Sequence, residues 1–113
     1  MAPAPATIMA NLRRGVVEYC VLATLRRGPA YGRDLAVRLT DEGVLTGGEG
    51  TLYPLLSRLR RSGLVETSWQ ESPAGPPRRY YILTPGGEHA LAGFVEAWKP
   101  FCTAVDRTLG APS

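Results

Sequence analysis

The apolar residues change their period at Gly63, and that change limits the folds open to the chain. Before Gly63 they recur every three to four positions. After it, in "LVETSWQ" (64–70) and "RRYYILT" (78–84), the period falls to about two and the runs are rich in β-branched and aromatic residues. The first pattern buries one face of a helix, the second one face of a strand. Between the two strand-like runs lies "ESPAGPP", a connection with three prolines and one glycine. That composition predicts a β-hairpin with a stiff, extended tip.

The helical part divides at its own punctuation. Residues 9–27 carry a broad apolar surface through Leu12, Val16, Tyr19, Cys20 and Ala23, with Val17, Val21, Leu22 and Leu25 beside them. They read as one helix buried on more than one side. Gly28 caps it and Pro29 prevents continuation. A second helix is expected over 31–42, with Leu35, Ala36 and Leu39 inward; Gly43 closes it and "VLTGGE" leads on. A last helix runs from Pro85 to about Leu109, with Thr84 as its N-cap. The expected fold is mostly α with a small β-hairpin, in the order helix, helix, helix, hairpin, helix. A chain of 113 residues suits one domain. Its expected parts are an Ala/Pro-rich flexible arm over 1–8, a body over 9–84 and a C-terminal helix over 85–113.

The third helix lies in "GTLYPLLSRLRRSGLV" (50–65). Leu52, Leu55, Leu56 and Leu59 share one face. The opposite face carries Gly50, Tyr53, Ser57 and Arg61, with Pro54, Arg58 and Arg60 on its flanks. No acid interrupts that polar face after Glu49. Pro54 is tolerable only if residue 50, whose carbonyl its ring opposes, stands at the helix start. Gly50 removes a side chain there and allows close backbone approach. The unpaired N–H groups and positive dipole end favour phosphate.

Charge points the same way. Thirteen Lys+Arg against ten Asp+Glu give a net +3 and a pI of about 9.2. Twelve of those thirteen are arginine, Lys99 being the one lysine. Arginine presents a planar fork suited to phosphate and guanine. Cys20 and Cys102 stand far apart in apolar surroundings and give no disulfide framework or metal-binding spacing; reduced, buried thiols in the cytoplasm are expected. His89 is the single histidine, and no nucleophile–base pair is readable. No catalytic residue, metal site or cofactor is expected. The start "MAPAPAT" reads as neither a signal peptide nor a membrane span.

Two helices joined by a Gly-containing turn, the second polar, aromatic and basic outside, followed by a basic hairpin, describe a winged helix-turn-helix. The second of the pair would enter the DNA major groove. The wing, with Arg78 and Arg79 after its tip, would meet the backbone or minor groove.

Three segments carry a resemblance: "GPAYGRDL" (28–35), "GTLYPLLSRLRRSGLV" (50–65) and "RRYYILTPGGEHAL" (78–91). In this order they resemble the PadR family of bacterial transcriptional regulators, in its short branch with a single C-terminal helix. The resemblance implies a homodimeric winged-helix repressor on an inverted-repeat operator in duplex DNA. It also places Tyr31, Thr51, Tyr53, Ser57, Arg78 and Arg79 at the DNA surface, alongside Gly50, Arg58 and Arg61 from the helix itself. Where Glu49 stands a small polar residue is common in the family, and where Arg60 stands an acid is common, so this recognition helix is more basic than usual.

The last helix carries Leu91, Phe94, Val95, Trp98, Phe101, Cys102, Val105 and Leu109 at alternating steps of three and four. That stripe is too long and aromatic for so small a domain to cover, and it suggests packing on a second copy of the chain. Pro100 removes the bond to Glu96 and is expected to kink the helix. Some short members of the family bind flat aromatic molecules between their subunits. By that resemblance, Phe94, Trp98 and Phe101 are expected to bind a planar aromatic effector that releases DNA. The alternative is a small-molecule sensor or sequestration protein with weak or lost DNA binding, against which the intact basic wing argues.

Overall fold

The computed structural model describes residues 2–40 and 48–110 and, at Glu49, the backbone alone. The described elements are α1 (Pro5–Arg13), α2 (Val17–Leu25), β1 (Ala30–Tyr31), α3 (Gly32–Thr40), α4 (Glu49–Arg61), β2 (Val65–Gln70), β3 (Arg78–Leu83) and α5 (Pro85–Leu109). The closure expected at Gly43 and the connection through 44–47 lie outside the described residues.

The single helix expected over 9–27 is two helices. Gly15 interrupts it with φ +83°, a left-handed conformation that side-chain-bearing residues adopt at a cost. The N–H of Val16 then donates to the Arg13 carbonyl at 3.0 Å, closing a turn. α1 starts at Pro5, inside the stretch read as an arm, and none of its residues is buried. Leu12, placed by its spacing on the apolar surface, is 63% exposed because the break turns α1 away from the core.

The hairpin forms as β2 and β3, in a register that pairs Val65 with Leu83 and Gln70 with Arg78. A third strand, β1, joins the other edge of β3, pairing Ala30 with Tyr81 and Tyr31 with Tyr80. The sheet order is β1-β3-β2, antiparallel throughout. β1 is only two residues long, too short to show a period in the sequence.

The core follows the helical periods. Val21, Leu22 and Leu25 of α2 meet Leu35, Ala36 and Leu39 of α3 and Leu52, Leu55, Leu56 and Leu59 of α4. Val65 and Tyr81 close it from the sheet and Leu91 from α5.

The start of α5 is locked to the end of α4. The Thr84 hydroxyl accepts from the Gly87 N–H at 3.0 Å and donates to the Gly63 carbonyl at 2.7 Å. The Thr84 N–H donates to the Leu64 carbonyl at 3.2 Å. Gly87 is buried against this junction. A Cβ on it would lie 2.2 Å from the Leu64 oxygen, so only glycine lets the helix come this close.

Past Phe94, whose ring still stacks on Tyr19 of α2, α5 projects from the body of the domain. The molecule measures 53 × 31 × 23 Å with a radius of gyration of 16.1 Å, against about 13 Å for a compact domain of 100 residues. The helix continues through Pro100 to a left-handed cap at Gly110. Among the described residues no helix is long and apolar enough to cross a membrane.

Candidate nucleic-acid interface

α4 begins after Gly48 and buries its leucine face completely, which fixes the rotation of everything opposite. Gly50 stands in the first turn, where the missing Pro54 N–H leaves its carbonyl without a helical donor. The Thr51 hydroxyl donates back to the Gly48 carbonyl at 2.9 Å and ties down the same turn. Gly50, Thr51, Tyr53, Ser57, Arg58, Arg60 and Arg61 are all exposed.

The sequence motifs meet here in space. A Cβ on Gly32 would fall 2.9 Å from Cε1 of Tyr53, so the Tyr53 ring lies against the first residue of α3. Beside it, Tyr31 is half-buried and tilted against Tyr80, ring centroids 5.8 Å apart. The Arg78 guanidinium lies 4.7 Å above the Tyr31 ring, a cation–π contact that holds it on this surface.

Arg78 and Arg79 do not act as a pair. Neighbours in a strand point to opposite faces. Arg78 stands on the outer face with Tyr31 and Tyr80. Arg79 turns toward α4, 4.9 Å over the ring of Trp69, its cross-strand partner. With Ser57, Arg60, Arg61 and Tyr81 it lines a cleft of about 370 Å³ between α4 and the wing.

Arg58 separates from the polar stripe. It faces α2 and contacts Glu18 at 3.5 Å, with its side chain 59% exposed, a weak pair at that exposure. Together with Thr51 and Pro54 it borders a different cleft of about 310 Å³ at the α1–α2 corner, near Arg13 and Arg14. Sequence reasoning named Arg58 and left out Arg60. The signal for Arg60 lay in its three-residue step from Ser57 together with the alternation of β3, and neither element reveals the cleft alone.

On α5 the residues divide at one point. Leu91 lies in its own chain's core at 2% exposure, so it has no surface left for a partner, contrary to the stripe drawn from spacing. Phe94 stacks on Tyr19 of α2 at 4.3 Å and on Trp98 at 5.4 Å, a continuous aromatic stack. Past it Val95, Trp98, Phe101, Val105 and Leu109 are exposed, Leu109 by 76%, with Cys102 half-buried among them. Phe94, Trp98 and Phe101 border a shallow groove of about 220 Å³ closed by Arg14, Gly15 and Val16. Burial pushes the Cys20 thiol pKa up, so the reactive thiolate is scarce there.

A helix pair ending in an exposed basic helix, with a two-stranded wing at its side, defines a winged-helix DNA-binding protein. Residues 21–93 match the transcriptional regulator PadR-like family, and the chain belongs to that family. Its members are transcriptional regulators, not enzymes. A PadR-like transcription factor from Bacteroides fragilis is 38% identical, over 90% of this chain and 98% of that one, with a TM-score of 0.73. A PadR-family regulator from Eggerthella lenta is 36% identical, over 92% and 90% of the two chains, with a TM-score of 0.79. A PadR-like regulator from Bacillus cereus is 32% identical, over 90% and 99%, also with a TM-score of 0.79.

Proposed function

We propose that this regulator is a cytoplasmic repressor that binds an inverted-repeat operator as a homodimer. The observation that carries the reading is the apolar stripe Val95, Trp98, Phe101, Val105 and Leu109, exposed on a helix that leaves the domain. An apolar run of this length is a liability in water unless another surface covers it. A second copy offers the same stripe, and two such helices crossing about a two-fold axis cover each other.

In that dimer the two α4 helices face the same side. Each would enter a major groove, about 34 Å apart, and twofold symmetry in the protein would demand it in the operator. Tyr31, Thr51, Tyr53 and Ser57 meet base edges and the adjoining backbone. Gly50 lets the helix start approach a phosphate, Arg61 extends the stripe, and Arg58 serves the flank nearer α2. Arg78 and Arg79 carry the wing contacts. The domain reading is a winged-helix body over 9–84 and a dimerisation helix over 85–113.

Sedimentation equilibrium tests the dimer. The expected mass is twice the 12.2 kDa of the chain. Val105→Asp should bring it to one chain's mass, because an unpaired carboxylate in an apolar interface costs several kcal/mol, roughly. A single-chain mass for the wild type at micromolar concentration contradicts the reading.

Effector release is supported by the open end of the aromatic stack. Trp98 is stacked on Phe94 on one side and is 43% exposed. A planar apolar molecule between two Trp98 rings would gain about 0.5–1.5 kcal/mol per stacking contact beyond area burial. It releases DNA only if it prefers a spacing of the two α4 helices that DNA does not accept. Titrating planar dyes against Trp98 fluorescence, in a Trp69→Phe background, should show quenching that Trp98→Ala abolishes. Equal dye binding by the Trp98→Ala protein contradicts the slot.

A further inference from the structure

The geometry points to a phosphate clamp in the cleft between α4 and the wing, where Arg60 and Arg79 together hold one backbone phosphate of bound DNA. This rests on the reading of α4 and the wing as the DNA interface.

Three guanidinium-bearing residues from two elements, Arg60, Arg61 and Arg79, line the cleft with Ser57 and Tyr81, and no carboxylate lines it. Among the described residues none of the three arginines forms an ion pair. Like charges gathered without a counter-charge are stabilised by whatever anion enters between them.

The second observation is the state of Arg79. Its Nε is buried and has no hydrogen-bond partner. A buried donor without an acceptor costs free energy, which a small shift of the Arg79 side chain onto an anion in the cleft would recover. Trp69 covers one face of the guanidinium. A ring face accepts no in-plane hydrogen bond, so the fork donors stay available for an oxyanion. The planar fork matches phosphate in a two-point arrangement, and Ser57 adds a hydroxyl from α4.

The position of the cleft identifies the source of the phosphate. With α4 in the major groove and the wing toward the adjacent minor groove, the strand that separates those grooves must pass between the two elements. The cleft lies between them.

The test uses the full-length chain and a fluorescein-labelled duplex of random sequence, read by anisotropy between about 50 and 200 mM NaCl. Arg60→Ala and Arg79→Gln should each weaken binding. Because both hold the same phosphate, the double variant should lower the salt slope by about one unit, the value for one phosphate. A loss of about two units would show separate phosphates and overturn the clamp, as would an unchanged slope. Arg79→Lys keeps the charge without the fork and should bind more weakly than wild type. Arg60 is exposed, so its variant reports even if those at Arg79 unfold, and thermal melts identify that case. Inorganic phosphate at constant ionic strength separates the other source. If it stabilises the wild type but not the double variant, while both keep the same DNA salt slope, the cleft is a site for a free anion and the clamp is overturned. A wild type that binds no duplex even at low salt overturns the DNA-interface reading itself, a result distinct from wild-type binding that the variants leave unchanged.

Discussion

Gly87 and Gly93 stand in the same helix and answer opposite demands. A Cβ on Gly87 would meet the Leu64 carbonyl and the Leu83 side chain, whereas a Cβ on Gly93 would meet nothing within 4 Å. Gly87→Ala should therefore destabilise the fold by about 1–3 kcal/mol or more through overpacking. Gly93→Ala should stabilise it by about 0.4–1 kcal/mol by restricting the unfolded chain. Denaturant unfolding of both variants checks the pair; equal effects would mean that α5 does not press on the start of β2. Tyr53 and Arg61 make a second pair. Tyr53→Ala should change the ranking of DNA sequences if the ring reaches base edges, while Arg61→Ala should weaken binding uniformly and reduce its salt dependence. Competition binding with a panel of duplexes distinguishes these outcomes. At this scale Thr84 was legible, because a cap needs only its own hydroxyl and the next turn. The division between Arg58 and Arg60 was not. Which flank of α4 meets α2 and which meets the wing depends on packing between distant segments.

α5 is one element in two parts, and the boundary falls at Phe94, whose ring stacks on α2. Up to Leu91 it belongs to the domain's core; beyond Phe94 its apolar face is open. Deleting 92–113 should leave a folded single-chain domain of lower stability, since Tyr19 loses the Phe94 ring stacked on it. Deleting 90–113 should unfold it, because Leu91 goes too. Circular dichroism melts with sedimentation separate the two products; a folded, dimeric product of the shorter deletion would assign the interface elsewhere. The spacing of apolar residues made the length of α5 readable but not this division, since period records which face is apolar and not what covers it. The break at Gly15 was hidden for a related reason: apolar residues on both sides of it keep the helical period. The hairpin was plain from its alternation and turn residues, whereas β1 is defined only by its pairing with β3.

At the scale of the whole molecule, one arrangement joins these elements. The leucine face of α4 fixes the direction of its basic face, and the Thr84 junction fixes α5 to the end of α4; in the proposed dimer the exposed part of α5 would set the distance between two copies. The order of elements, and with it the winged-helix class, was legible because each segment's period and punctuation agree. The central claim is that two chains joined through α5 read DNA with two α4 helices. In vitro selection from a random duplex library with the wild-type chain tests it most directly. The account predicts an enriched sequence that reads the same on both strands, with half-site centres about 10 base pairs apart or a multiple of that. Enrichment of a single half-site without symmetry, or none over the starting library, would contradict it.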